Sequence, residues 1–223
     1  MNSLHNSSIR LMPGGFCVSN GELINITPGA DYDKRLEDAI LEQKLNIGEH
    51  DLHCYVETSR MSLSPAAECD KAMAEKMYGL TLRSTDQDET ILHETSADGT
   101  VRISFGINSR LYHFLVRTFQ YIVFHHPVIS IIDHEAEKEH EGANRMAAEV
   151  TRGSLSIVAY KDNRLQLANC IETTVTQNRA YHILNTWTML ELDVITDRLY
   201  LTGDEQEVSR LKFTVNKFIK LCE

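Results

Sequence analysis

The chain has 223 residues, of which 42% are hydrophobic and 24% are charged, and its formal net charge at pH 7 is −10. This length is enough for one large domain or two small ones, and the composition is typical of a globular protein with a buried core. The acidic balance and the absence of any run of basic residues argue against a nucleic-acid-binding protein, because phosphate binding needs clustered lysine and arginine.

The termini and the cysteines indicate the compartment. The first residues, MNSLHNSSIRLMPGG, lack the basic start and apolar core of a signal peptide. The most apolar stretch, Phe114 to Phe124, is interrupted by Arg117 and Gln120, and it is shorter than the ~20 residues of a membrane-spanning helix. The five cysteines contain no CxxC pair, so we expect free thiols. We therefore expect a cytoplasmic protein without membrane insertion.

The first half of the chain predicts alternating strands and helices. In chain order we expect strands over 8–27 with turns at Pro13-Gly14-Gly15 and Asn20-Gly21, a helix from Asp31 to about Gln43, strands over 52–64, a helix from Ser64-Pro65 to Gly79, a strand near Ile91, a turn at Asp98-Gly99, a strand over 101–107, and a buried helix over 110–124 that ends before Pro127. We expect Leu36 and Ile40 in the core, and Cys69, Met73 and Met77 on one side of the second helix. Asp86 and Asp88 are expected to be solvated.

A charged segment follows, DHEAEKEHEGANRMAAEV, residues 133–150. Like charges at helical spacing, such as Glu135 with Glu139, oppose a helix in its first half. We interpret the segment as a solvated connector, helical in its second half, and we place the boundary between two lobes here. The predicted organisation is a first lobe over 1–132, the connector over 133–150 and a second lobe over 151–223.

The second lobe has the clearest pattern. Two strands flank the turn Lys161-Asp162-Asn163, Thr176 is a candidate N-cap, and a strand ends in LYLTG. Two helices each carry one apolar stripe, the first with Ala180, Ile183, Leu184, Trp187 and Leu190, and the second with Val208, Leu211, Val215 and Phe218. We expect all nine of these side chains in the core.

These residues suggest a family. The segments SLSIVAYKDNRLQLANC, AYHILNTW and LYLTGD, together with SIRLMPGGF and ETSRMSLSP in the first half, resemble an uncharacterised bacterial family known as a domain of unknown function. The resemblance spans nearly the whole chain and implies a duplicated actin-like ATPase (ribonuclease H-like) fold, an α/β fold with two mixed-sheet lobes and flanking helices. It also implies similarity to pilus-assembly proteins that use this fold to dock a partner.

Actin-like ATPases hold phosphates in two hairpin turns that supply glycine N–H groups and a nearby acid for Mg²⁺. In this chain Gly14 and Gly15 could supply the N–H groups, but 8–16 contains no acid. The second candidate turn, Lys161-Asp162-Asn163, has an acid but no glycine and is good turn chemistry. The strand that would carry paired glycines has Gly203 followed by two acids, which suit a helix cap and repel a triphosphate. We therefore expect no ATP hydrolysis.

Metal and nucleophile motifs are also weak. His134-Glu135 and His140 resemble HExxH, but a spacing of six places the two histidines on opposite sides of a helix. His125-His126 could bind a metal only with a distant carboxylate. Cys54 follows His53, but neighbouring strand residues point to opposite faces, and the chain has no GxSxG motif.

We therefore expect a non-catalytic interaction or scaffold protein with a degenerate actin-like fold, with no catalytic, cofactor-binding or metal-binding residue and no cofactor. The expected partner is a protein segment, bound in the cleft or at a sheet edge. Two alternatives stay open. The first is an ATP-binding protein with little or no hydrolysis, with Gly14, Gly15 and Gly203 lining its site. The second is a metal-dependent hydrolase.

Overall fold

The computed structural model describes residues 8–19, 21–27, 29–43, 45, 51–82 and 88–223. The chain forms two compact units, the first made of 1–95 and 100–126, and the second of 96–99 and 127–223. Asn20 of the expected second turn and Asp86 lie outside the described residues.

The elements alternate along the chain. The strands are β1 (Ser8–Met12), β2 (Gly15–Val18), β3 (Ile24–Asn25), β4 (Leu52–Val56), β5 (Met61–Pro65), β6 (Glu89–Thr95), β7 (Val101–Asn108), β8 (Ile122–His125), β9 (Arg145–Val150), β10 (Ser154–Lys161), β11 (Arg164–Glu172), β12 (Arg198–Gly203) and β13 (Leu221–Cys222). The helices are α1 (Tyr32–Glu42), α2 (Lys71–Leu82), α3 (Ser109–Thr118), α4 (Pro127–Glu137), α5 (Thr176–Met189) and α6 (Glu205–Val215).

Each unit contains a five-stranded mixed sheet of the same topology. The order is β3-β2-β1-β4-β8 in the first unit and β11-β10-β9-β12-β13 in the second. In both sheets the first three strands of the unit pair antiparallel, and the last two run parallel to the first. The first unit also has a three-stranded antiparallel sheet, β5-β7-β6, against which α2 packs.

Strand β4 of the first sheet shows the alternating burial of a strand with one face in the core. In β4, Leu52, Cys54 and Val56 are buried, whereas His53 and Tyr55 are partly exposed. One face of this strand therefore belongs to the core and the other carries polar side chains. The expected helix over 31–43 is confirmed as α1, and its core residues Leu36 and Ile40 are both buried, as predicted.

The core of the second unit forms where the expected helical stripes meet the sheet. Ala180, Ile183 and Trp187 of α5 pack with buried residues of β9, β10 and β12, and Leu184 and Leu190 are partly buried against them. In the last helix the predicted burial is confirmed for Leu211 and Val215, which are fully buried. It is wrong for Phe218, which is 54% exposed, and Ile219 is buried in its place. The reason is that α6 ends at Val215, so the 3.6-residue period no longer applies at position 218.

The expected start of the second helix is wrong. Ser64 and Pro65 do not begin a helix but pair with β7 in strand β5, where proline is tolerated because β5 is an edge strand. The helix α2 begins at Lys71 instead, and Asp70 accepts a hydrogen bond from the Met73 N–H group at 2.8 Å. The residues that α2 buries are Ala74 and Tyr78, so the expected Met73 and Met77 stripe is exposed.

The expected helix over 110–124 is wrong in its second half. Helix α3 ends at Thr118, and 122–125 form strand β8, which pairs with β4. Pro127 does not follow a helix end but begins α4, where a residue without an N–H group loses no hydrogen bond. The expected N-cap at Thr176 is also wrong, because Val175 holds that position without a side-chain hydrogen bond.

The interpretation of 133–150 as a solvated connector with a helical second half is wrong as well. Its second half is β9, the central strand of the second sheet. Glu135 is 2% exposed and Arg145 is 7% exposed, and the Arg145 Nε donates to Glu135 Oε2 at 3.3 Å. These charges are buried because they neutralise each other. The predicted division at 1–132, 133–150 and 151–223 stays a proposal.

Candidate functional site

The turn between β1 and β2 needs its glycines for backbone geometry. Gly14 has φ +84°, which favours glycine, and its carbonyl accepts a hydrogen bond from the Ile26 N–H group at 2.8 Å. A Cβ at Gly15 would lie 2.1 Å from the Ile24 carbonyl oxygen. The Gly14-Gly15 pair is therefore explained by a tight turn and by the close approach of β3.

The turn Lys161-Asp162-Asn163 is a hairpin turn whose polar groups are engaged. Asp162 and Asn163 have φ +54° and +57°, as a type I′ turn requires. The Asp162 N–H group donates to Asn144 Oδ1 at 2.9 Å, and the Asn163 N–H group donates to the Ala143 carbonyl at 2.8 Å. Asn163 Oδ1 accepts from Arg145 Nη1 at 2.9 Å. This turn is held to the loop that precedes β9.

The turn of the second unit that corresponds to the β1–β2 turn is not the expected one. Because β9 and β10 occupy the places of β1 and β2 in their sheet, the corresponding turn is Thr151-Arg152-Gly153, which we call the β9–β10 turn. Sequence analysis missed it by assigning 145–150 to a connector. The available signal was Gly153 directly before the apolar run of β10.

The Thr151 side chain binds two backbone N–H groups at the end of this turn. Its Oγ1 accepts hydrogen bonds from the Gly153 N–H group at 3.3 Å and from the Ser154 N–H group at 3.0 Å. The Thr151 N–H group donates to the Ser154 carbonyl at 3.1 Å. These are the backbone donors that a phosphate-binding turn would present to its ligand, and here the turn itself uses them.

The buried side chain of Arg179 binds a backbone carbonyl of the same turn. It lies in the first turn of α5 and is fully buried. Its guanidinium donates to the Thr151 carbonyl at 2.6 Å, to the Thr173 carbonyl at 3.1 Å and to the Glu207 carboxylate of α6. All three guanidinium nitrogens are therefore occupied, and the buried charge is balanced by an acid.

Asp204 binds the side chain of Arg152 in the same turn. Its carboxylate accepts from the Arg152 Nε at 3.1 Å and caps α6 through the Gln206 and Glu207 N–H groups. Burial alone would raise the pKa of Asp204, but the hydrogen bonds from Glu207, Arg152 and Gln206 outweigh it and lower that pKa. The expected role of these acids as a helix cap is confirmed for Asp204.

Gly203 allows β12 to end close to Val150, directly before the capping residue Asp204. It has φ +115°, and a Cβ there would lie 2.1 Å from the Val150 carbonyl oxygen. The same carbonyl accepts a hydrogen bond from the Asp204 N–H group at 2.8 Å. Gly203 is thus required where β12 ends against β9, and this contact places Asp204 beside Arg152.

The charges of this site cancel in pairs. Arg152 is paired with Asp204, and Arg179 with Glu207. A triphosphate that approached either guanidinium would meet the negative charge of Asp204 or Glu207. The arrangement favours internal cross-linking of the turn over anion binding.

The histidine and cysteine motifs of the sequence do not form a site in the structure. His140 does not face solvent as expected, since its Nε2 donates to the Glu135 backbone carbonyl at 2.9 Å and its side chain is 8% exposed. Cys54 is fully buried, and burial raises the pKa of its thiol, whereas His53 lies on the other, partly exposed face of β4. Within the described ranges, no group of three or more His, Cys, Asp or Glu side chains is arranged to hold a metal ion.

No helix in the part of the chain that the structure describes is both long and apolar enough to cross a bilayer. The prediction that the chain has no catalytic, cofactor-binding or metal-binding residue stays a prediction.

The chain belongs to the family described as "Protein of unknown function (DUF3822)", whose model matches residues 18–222. No curated protein is significantly similar to the chain. The predicted recognition of an uncharacterised family with an actin-like ATPase fold is confirmed.

Two solved structures show the fold. A Bacteroides thetaiotaomicron protein with an actin-like ATPase fold and unknown function is similar with a TM-score of 0.75 and 23% identity, over 97% of this chain and 88% of that one. A chain of the PilM–PilN type IV pilus biogenesis complex is similar with a TM-score of 0.56 and 9% identity, over 96% of this chain and 82% of that one. The predicted fold class, α/β with an actin-like ATPase fold, is confirmed.

Proposed function

We propose that this family member is a non-catalytic interaction or scaffold protein, which keeps the actin-like fold and has lost the groups that bind nucleotide. The observation that carries the proposal is the internal hydrogen bonding of the β9–β10 turn. The Gly153 and Ser154 N–H groups bind Thr151 Oγ1, and the Arg152 Nε binds Asp204. A turn that is stabilised in this way is a structural element of the sheet, and these donors are already used within the chain.

The similarity to a chain of the PilM–PilN complex supports a protein partner. At 9% identity this similarity shows a shared fold alone, so the partner of our chain has to be argued from its own surface. We propose a protein segment as the partner and a reducing cytoplasm as the compartment, in keeping with the five free cysteines.

The surface we propose for this partner is the outer edge of β11. This strand spans Arg164–Glu172 and is the longest in the second sheet. Among the described strands, β10 alone pairs with it. An edge strand has a neighbouring strand on one side only, and an extended peptide can add to its other side as a further strand. A partner with an extended segment fits this edge.

Affinity capture from a native extract, followed by hydrogen exchange of the reconstituted complex, tests the proposal. We expect a reproducible protein partner, and we expect slower amide exchange in 164–172 of the complex than in the free chain, because a new strand would pair the outer amides. The edge strand β3 of the other sheet is the internal control and should exchange equally in both states.

Two results would oppose the proposal. Repeated captures without a reproducible partner would argue against an interaction protein. A reproducible partner that protects residues elsewhere, with β11 unchanged, would keep the function and overturn the proposed edge.

A further inference from the structure

Three side chains from three strands of the first unit form a hydrogen-bonded chain that the proposed function does not use. Glu94 of β6 contacts His125 of β8, with 2.6 Å between Oε1 and Nδ1. The other ring nitrogen of His125, Nε2, lies 2.9 Å from Nδ1 of His53 in β4. The ring centroids are 5.1 Å apart and the ring planes are inclined by 23°, so the two rings meet edge to edge. We call this chain the Glu94–His125–His53 clamp.

The surroundings of the clamp are fixed by further contacts. The second oxygen of Glu94 accepts from the His126 backbone N–H group at 2.8 Å. The ring of His126 bonds the Thr58 carbonyl, and burial lowers the pKa of His126 to about 4. His126 therefore stays neutral under mildly acidic conditions and adds no charge to the clamp.

Two further charged groups, Arg10 and Glu57, lie beyond the Tyr55 ring, which contacts the clamp. The Tyr55 ring lies 5.2 Å from the His125 ring, and the Arg10 guanidinium lies 5.2 Å from the Tyr55 ring. Arg10 is in turn bonded to Glu57 at 2.8 Å. Because Arg10 and Glu57 neutralise each other, the charge that faces the two imidazoles most directly is that of Glu94.

The number of protons in the clamp follows from its geometry. The ionised Glu94 carboxylate only accepts, so His125 Nδ1 carries a hydrogen. The contact between His125 Nε2 and His53 Nδ1 then needs one hydrogen between two nitrogens. When both rings are neutral, that hydrogen sits on His53 Nδ1. After one proton is added, His125 is a cation whose Nε2–H donates to His53 Nδ1, and the neutral His53 carries its hydrogen on Nε2.

A second added proton has no place in this chain. Both rings would then be cations with N–H groups directed at each other across 2.9 Å, and the contact would have to break. The clamp can thus accept one proton with every hydrogen bond retained, and it opens on the next.

The position of the clamp along the chain gives it a structural consequence. The chain passes from the first unit to the second after Thr95 and again after His126. Glu94 binds both His125 and His126, so one carboxylate ties together the two segments from which these passages start.

We propose that the Glu94–His125–His53 clamp is a proton-operated switch, closed with zero or one added proton and open with two, which loosens both exit segments when it opens. The proposal is independent of the function proposed above, since it concerns other residues and needs no partner.

Nitrogen-15 NMR of the full chain with labelled histidine tests the switch between pH 8 and pH 5, with His53→Asn used for assignment. At pH 8 we expect both rings in the Nδ1–H form. As the pH falls, His125 should become cationic while His53 stays neutral and changes to the Nε2–H form, and only later should His53 become cationic. Simultaneous charging of both rings, or a neutral His53 with its hydrogen on Nε2 at pH 8, would overturn the proposal.

Variants separate the clamp from general acid effects. In His125→Phe we expect loss of the Nδ1–H form of His53 at pH 8 and faster amide exchange in 89–95 and 122–125 at a fixed pH. The matched control is Glu75→Gln, which removes another carboxylate paired with a histidine, His93, at 3.2 Å, and it should change neither readout. Unchanged His53 signals in His125→Phe would refute the clamp. If that variant does not fold, the wild-type titration still decides.

Discussion

Arg152 donates a hydrogen bond from its Nε to Asp204 Oδ2 across 3.1 Å, and this contact joins the β9–β10 turn to the start of α6. In an actin-like fold the turn would be expected to present its donors to a phosphate. Here a donor of the turn, the Arg152 Nε, binds a carboxylate of the same chain. The contact therefore links the retained fold to the proposed loss of nucleotide binding.

Asp204→Ala should destabilise the protein by about 1 kcal/mol, because it removes the cap of α6 and the partner of Arg152. The lowered pKa of Asp204 means that this contribution is present above the ordinary aspartate pKa of about 3.9 and is lost as the pH falls below it. Urea unfolding at pH 7 and pH 3 measures both effects. Glu205→Ala, at the exposed neighbouring acid, is the control, and an equal loss in both variants would contradict the cap.

Arg179→Met should destabilise the protein by about 3 kcal/mol, because it removes the donor of the Thr151 and Thr173 carbonyls and the buried one of the two arginine partners of Glu207. Arg210→Met is a matched control, since Arg210 pairs with the same Glu207 carboxylate at 2.7 Å but its side chain is 63% exposed. That variant should lose less than ~1 kcal/mol. Chemical unfolding of both proteins checks the difference, and similar losses would show that Arg179 does not hold the turn.

Gly203→Ala should destabilise the protein by about 2 kcal/mol or more, because of its positive φ and the contact with the Val150 carbonyl. The same substitution at Gly79 in α2, where a Cβ meets nothing within 4 Å, should stabilise by about 0.5–1 kcal/mol. Thermal melts of the two variants should thus move in opposite directions. A neutral Gly203→Ala would mean that β12 and β9 do not approach as described.

Stability should fall as the pH drops from 6.5 to 4, partly through His126. Burial lowers the pKa of this fully buried ring to about 4. The unfolded chain therefore binds a proton at a higher pH than the folded chain, and the free energy of unfolding falls by about 3 kcal/mol over this range. In His126→Gln the loss should be smaller by that amount, whereas His113→Gln, at an exposed histidine, should follow the wild type. Parallel pH profiles for all three proteins would be the contrary result.

The sequence predicts the parts of the fold that local periodicity determines. Ile183 and Trp187 lie at helical spacing and are buried, and β10 and β11 flank a turn of two residues that accept positive φ. Strand β8 could not be predicted in this way, because an apolar run suits a helix and a strand equally. Its state depends on pairing with β4, whose residues lie about 70 positions earlier.

Charge misled the interpretation of β9 and of the site. Like charges such as Glu135 with Glu139 suggested a solvated segment, but Glu135 is buried and binds Arg145. The site residues that matter for Thr151 come from later in the chain, since Arg179 lies 28 positions away. The sequence does indicate that nucleotide-binding groups are missing. It cannot show that the remaining groups bind one another.

A nucleotide titration followed by thermal unfolding tests the central claim most directly. A ligand that binds the native state at one hundred times its Kd stabilises it by about 2.7 kcal/mol. With Mg-ATP or Mg-ADP raised to millimolar concentrations, we predict a constant Tm for the wild-type chain, because the donors of the β9–β10 turn are bound to Thr151 and Asp204. A saturable rise in Tm would contradict the account and favour the ATP-binding alternative.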